Sequence, residues 1–171
     1  MSTWLSETEF REGGAESAGV TINVAFLQEI KDDFEFRSQL NRVYAQLHPK
    51  NNDDRPSIRV AADLLGDLRD ELKTYFALEE FYGYFGQAKV DNPRVSKQAG
   101  ELQTDHEKLF LQLGVVFELS QQLVDDEGVP DLGYEKVAEG FEDFCIALAQ
   151  HEQAEMELMM RLWNEDFGVG D

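Results

Sequence analysis

Apolar residues recur along this chain at alternating steps of three and four, the period of a buried helix face. Val137, Phe141, Phe144, Leu148, His151, Glu155, Leu158 and Leu162 follow one another at steps of 4, 3, 4, 3, 4, 3 and 4. An earlier segment repeats the pattern with Val95, Ala99, Leu102, His106, Leu109, Leu113 and Val116. Another reads Leu68, Leu72, Tyr75, Glu79 and Tyr82. The first places Leu27, Ile30 and Phe34, then Leu40, Val43 and Leu47, on its inward face. No strand-like alternation, internal repeat or low-complexity stretch competes with this pattern.

These stripes predict four helices, over about residues 22–47, 57–86, 94–124 and 132–164. His48-Pro49 ends the first helix, and Ser57 is a suitable N-cap for the second. Asp91-Asn92-Pro93 separates the second from the third. The acidic run at residues 125–131 reads as a solvated turn before the fourth. Residues 1–20 are polar, with Gly13, Gly14 and Gly19, and predict a flexible or loosely docked tail. That leaves residues 21–171 as one domain. The expected fold is all-α, an antiparallel up-down four-helix bundle.

Polar residues interrupt the stripes at Glu79, His106, His151 and Glu155. An unpaired carboxylate in a dry core costs several kcal/mol. In an antiparallel hairpin, residues equally far from the loop face each other. Glu79 and His106 are centred on the second connection, and His106 and His151 on the acidic run. Phe34 and Tyr75 are centred on the first connection. All six positions therefore fall at one level of the bundle. Two imidazoles and two carboxylates converging there suit iron, manganese or zinc. The competing reading is a metal-free network of histidines and carboxylates. Glu80 reads as a surface residue and His48 as a partner of the first helix's C-terminal end. Tyr82, Tyr84, Phe85, Met156, Met159, Met160 and Trp163 read as core.

Composition narrows the function. Of 171 residues, 42% are hydrophobic, enough for a sizeable core. The net charge of -20 argues against nucleic acid and anionic membrane surfaces, which require clustered Lys and Arg. No apolar run of about 18 residues offers a membrane span. The acidic N-terminal segment lacks the apolar core of a signal peptide. A single cysteine, Cys145, excludes an internal disulfide and fits a cytoplasmic protein. Beside Phe144 and Leu148, it reads as a small buried hydrophobe.

Residues 68–85 (LRDELKTYFALEEFYGYF) and 151–171 resemble the hemerythrin-like, HHE cation-binding family. The resemblance extends over about residues 24–171. That family carries a histidine on the first helix and His-x-x-x-Glu on the second. It has one or two histidines on the third, and His-x-x-x-Glu or His-x-x-x-x-Asp on the fourth. Its members usually hold two bridged irons and handle dioxygen, nitric oxide, redox signals or iron itself. The resemblance implies that Glu79 and Glu155 are bridging carboxylates and that His106 and His151 are histidine ligands. Phe34 and Tyr75 stand where the first- and second-helix histidines are expected, and Leu102 removes the optional second histidine of the third helix. Both terminal ligands of one metal are thereby altered. One iron is expected, or two if the Tyr75 phenolate replaces an imidazole.

Three function classes follow. The first is a hemerythrin-like binding protein that senses or handles a small diatomic ligand, a redox signal or iron. The second is a metal-free interaction or scaffold module, with a protein partner that the sequence does not name. The third is a mononuclear non-haem iron enzyme, whose substrate path the sequence does not reveal. No Ser-His-Asp set or phosphate loop supports catalysis without a metal.

Overall fold

The computed structural model describes residues 24–50, 57–82, 93–125 and 131–167, with side chains described from 33 to 161 within those spans, except at 81, 82, 131 and 132. Helices account for nearly all of it: α1 (Val24–Leu47), α2 (Ile58–Tyr82), α3 (Pro93–Asp125) and α4 (Asp131–Phe167). No strand occurs among the described residues. The expected tail over residues 1–20 and the connections at 51–56, 83–92 and 126–130 lie outside them. Consecutive helices pack together, and α1 also meets α4, closing a four-helix bundle.

The helix ends have local causes. Ser57 starts α2: its Oγ accepts from the Arg59 N–H at 3.3 Å, and its carbonyl from Val60 at 2.9 Å. His48 ends α1, donating through Nδ1 to the Tyr44 carbonyl at 3.0 Å while its ring stacks on Tyr44. Its Nε2 lies 2.9 Å from Glu142 Oε1, which ties that end to α4.

The interior follows the stripes of α3 and α4 residue by residue. Val95, Ala99, Leu102, His106, Leu109, Leu113 and Val116 are all buried. So are Val137, Phe141, Phe144, Leu148, His151 and Leu158. The apolar core divides in two. The larger part gathers residues of all four helices, from Phe36 and Leu72 to Leu113 and Leu148. The smaller holds Val95, Ala99, Leu102 and Leu158. His106 and His151 lie along the stripes between these two clusters, so the polar residues form a layer across the core. Where that layer is absent, the helices approach closely. A Cβ on Gly66 would stand 3.2 Å from Phe117, and one on Gly140 3.2 Å from Val116.

Two expectations about the core are corrected. Phe34 is 72% exposed, whereas Phe36 is fully buried. The stripe drawn through Phe34 needs a step of six to reach Leu40. Phe36, Leu40, Val43 and Leu47 keep steps of 4, 3 and 4, and that face turns inward. Met156, Met159 and Met160 are exposed, on the side of α4 away from Leu148, His151 and Leu158.

Candidate metal centre

Glu79 comes from α2, His106 from α3, and His151 and Glu155 from α4. One ligand atom from each lies within 4.8 Å of the other three. His106 Nε2 is 3.4 Å from Glu79 Oε2 and 3.6 Å from Glu155 Oε1. His151 Nε2 is 3.3 Å from Glu155 Oε1, one turn along the same helix. Both imidazoles are 3% exposed at the side chain, and the two carboxylates 16% and 14%.

Aromatic packing sets the ring planes. Phe76 stacks flat on His106 with centroids 4.1 Å apart. His151 meets His106 edge to face at 4.7 Å. Across the core, Phe36 stacks on Tyr75 at 4.7 Å. Tyr75 therefore faces Phe36, and Phe34 points away from the cluster. The Tyr75 hydroxyl donates to the Glu79 carboxylate. Burial and the Glu79 charge drive its ionisation far above the ordinary tyrosine range, so the neutral phenol is the stable form.

Charge is crowded here. Burial, then repulsion from Glu155, raises the Glu79 carboxyl to about 8, against the help of the Tyr75 hydrogen bond and nearby His106. Burial also works against Glu155, but polar contact with His106 and His151 outweighs it and holds that carboxyl low. Burial opposes a charged His106, yet Glu155, Glu80 and Glu79 together raise its pKa.

Two further carboxylates, Glu80 and Glu152, complete the surroundings. Glu80 is a surface residue, as expected, and it also reaches inward: His106 Nδ1 donates to its Oε1 at 3.0 Å. Gln103 donates to the other Glu80 oxygen at 3.3 Å. Glu152, beside His151, receives the guanidinium of Arg37 from α1 as a fork, at 2.9 and 3.2 Å. Arg37 also holds Asp33 at 3.1 Å, so Asp33 is engaged on the outside of α1.

The donor set fits a cation. Glu79 Oε2, His151 Nε2 and Glu155 Oε1 are buried and form no well-shaped hydrogen bond among the described residues. Buried polar atoms of this kind call for a partner. Metal–ligand bonds of about 2.1 Å in a tetrahedral site would separate neighbouring ligands by about 3.4 Å. Three of the six separations, 3.3, 3.4 and 3.6 Å, match that span, and all six lie within 4.8 Å. A divalent ion would also offset the repulsion between Glu79 and Glu155.

A cleft of ≈ 300 Å³ opens between α3 and α4 and reaches His151. Lys108 and Asp105, paired at 2.7 Å, lie on its lining with Gln112 and Gln150. No helix among the described residues is long and apolar enough to cross a membrane. No family model, curated protein or solved structure matches this sequence.

Proposed function

We propose that the chain is a hemerythrin-like metal protein that binds one non-haem iron per molecule through Glu79, His106, His151 and Glu155. It would act in sensing or handling a diatomic ligand, a redox signal or iron. The observation that carries this reading is the convergence of four buried donor atoms from three helices within 4.8 Å. Nitrogen and carboxylate donors in equal number suit iron and manganese, and tolerate zinc. Iron is preferred on the resemblance of the helices.

The up-down antiparallel course belongs to the same reading, and cross-helix contacts support it. From Val116–Gly140 through His106–His151 to Arg161–Gln98, numbers fall on α3 as they rise on α4. Between α2 and α3, Gly66 lies near Phe117, Arg69 over Phe110, and Glu80 against Gln103. Between α1 and α4, His48 pairs with Glu142 and Arg37 with Glu152.

The chain's own residues divide the work. Glu79 and Glu155 supply the negative charge that holds a cation. His106 and His151 supply neutral donors, and Glu80 fixes the orientation of His106. Phe76 covers one face of His106, and Phe36 covers Tyr75. Iron bound there would supply a redox-active centre that can take a small ligand or exchange an electron.

Elemental analysis of protein purified without chelators tests the reading. One metal per chain, lost in His106→Ala, is the expected result. Two firmly held metals, or unchanged metal content in His106→Ala, would overturn it. One observation favours the scaffold reading instead: Leu111 and Val115, one turn apart on α3, are 67% and 66% exposed. Metal-free protein in that measurement would decide for it.

A further inference from the structure

Three exposed apolar side chains and one cleft share the outer face of α3 and α4. Leu111 and Val115 stand 67% and 66% exposed on α3, and Ile146 57% exposed on α4. Packing further in fixes their level. Leu111 is midway between His106 and Val116, which lie against His151 and Gly140 on α4, and Ile146 falls between those two. All three therefore flank one stretch of the α3–α4 seam. The cleft of ≈ 300 Å³ opens along the same stretch. Lys108 and Gln112 on its α3 wall are one turn from Leu111 and Val115. Ala147 and Gln150 on its α4 wall are next to Ile146 and one turn from it. A crest thus runs directly beside a hole. With room for roughly ten waters, the hole can take the side-chain carbons of a leucine and a valine together.

We infer that two copies of this chain pair through this face about a two-fold axis, each seating Leu111 and Val115 in the cleft of the other. A two-fold interface uses one patch twice, so it needs a projection and a recess on the same surface, and this face carries both. Charge points the same way. A chain carrying -20 repels its own copy, which confines pairing to a face with no unpaired charge to bury. The crest is uncharged, and the cleft's lysine, Lys108, is already held by Asp105 at 2.7 Å. Acids stand at the margin: Glu107 one turn before Leu111, Glu118 one turn after Val115 and Asp143 one turn before Ile146, all exposed. They set the sign of the salt dependence, because screening their mutual repulsion tightens the pair. The inference does not depend on whether the polar layer holds a metal.

Sedimentation equilibrium of the full chain tests this, from about 5 to about 500 µM, because so small an apolar face supports a dissociation constant of about 50 µM. The expected result is a reversible monomer–dimer equilibrium that tightens about threefold between about 0.05 and 0.5 M NaCl. Leu111→Glu should weaken the pair by about tenfold or more, as loss of a central anchor does. Gln150→Glu should weaken it too, since it exchanges an amide for a carboxylate under the partner's leucine. Both positions are exposed, so both variants should keep the helix content of the parent in circular dichroism. Phe34→Glu, at an even more exposed apolar residue on α1, should leave the equilibrium unchanged. A chain that stays monomeric at the highest concentration overturns the inference. So does a dimer that survives Leu111→Glu, or one that Phe34→Glu dissolves, because each places the contact elsewhere. Association that salt weakens is an acid–base contact, and overturns it equally.

Discussion

The ring of Phe76 lies parallel to the imidazole of His106, with centroids 4.1 Å apart and planes 7° from coincidence. The same ring meets His151 edge-on at 6.0 Å. One apolar side chain therefore braces both histidines of the polar layer. Flat stacking fixes the His106 ring plane, and the Glu80 contact fixes its rotation within that plane. Nε2 is left directed at Glu79 and Glu155.

Phe76 is buried and Phe34 is 72% exposed, so the two should respond oppositely to truncation. Phe76→Ala should cost about 3–5 kcal/mol in chemical denaturation, the usual loss for a buried phenylalanine. Phe34→Ala should stay within about 0.5 kcal/mol of the parent. Equal losses at the two positions would show that the inward face of α1 has been misidentified.

The same correction changes how a fuller ligand set would be built. Phe36, not Phe34, stacks on Tyr75 at 4.7 Å. Phe36→His combined with Tyr75→His should raise metal content above that of the parent, toward two per chain. Phe34→His combined with Tyr75→His should not, because position 34 points to solvent. Metal-to-protein ratios of the two double variants, measured side by side, check this. Extra metal in the Phe34 variant alone would contradict the assignment.

Tyr75 is expected to act as a hydrogen-bond donor. Its hydroxyl is engaged by Glu79, and burial together with that carboxylate opposes the phenolate. Tyr75→Phe should leave the visible spectrum of iron-loaded protein nearly unchanged and cost about 1 kcal/mol of stability. Loss of a strong visible band in the variant would instead assign Tyr75 to the metal as phenolate.

The stripes of α3 and α4 were legible because every step is three or four residues, even though Leu111, Val115, Ile146 and three methionines put apolar side chains on the outer faces. His106, His151 and Glu155 stand out there as polar intruders, and Glu79 does so on α2. On α1, the signal was ambiguous: Phe34 and Phe36 are both aromatic, and only the regular step to Leu40 separates them. The Glu80 contact was illegible for a different reason. A glutamate beside the stripe can be 38% exposed and still bring its carboxylate to a buried ring, because the side chain is long. The Arg37–Glu152 pair depends on how α1 and α4 are aligned, which no single-helix pattern contains. The cleft arises from the volume missing at Ala147 and Ala154, and missing volume becomes visible only when two helices are packed together.

Cys145 should be a slow thiol whose reactivity keeps climbing with pH. It is half-buried on α4 beside Phe144. Burial, with a smaller contribution from the Glu142 charge, pushes its thiol from 9.0 up to about 11. At pH 8 the thiolate fraction is then about one in a thousand, against about one in eleven at the ordinary value. The higher-pKa thiolate is the stronger nucleophile, which recovers roughly tenfold of that hundredfold difference. Native protein should therefore react with an aromatic disulfide about tenfold more slowly than the chain unfolded in urea at the same pH, before any hindrance from packing is added. The pH profile separates charge from access. The native rate should rise about tenfold per unit from pH 8 to 10, whereas the unfolded chain should level off above about pH 9. A native profile that levels off at the same pH as the unfolded one would show that the thiol titrates normally and that only steric cover slows it.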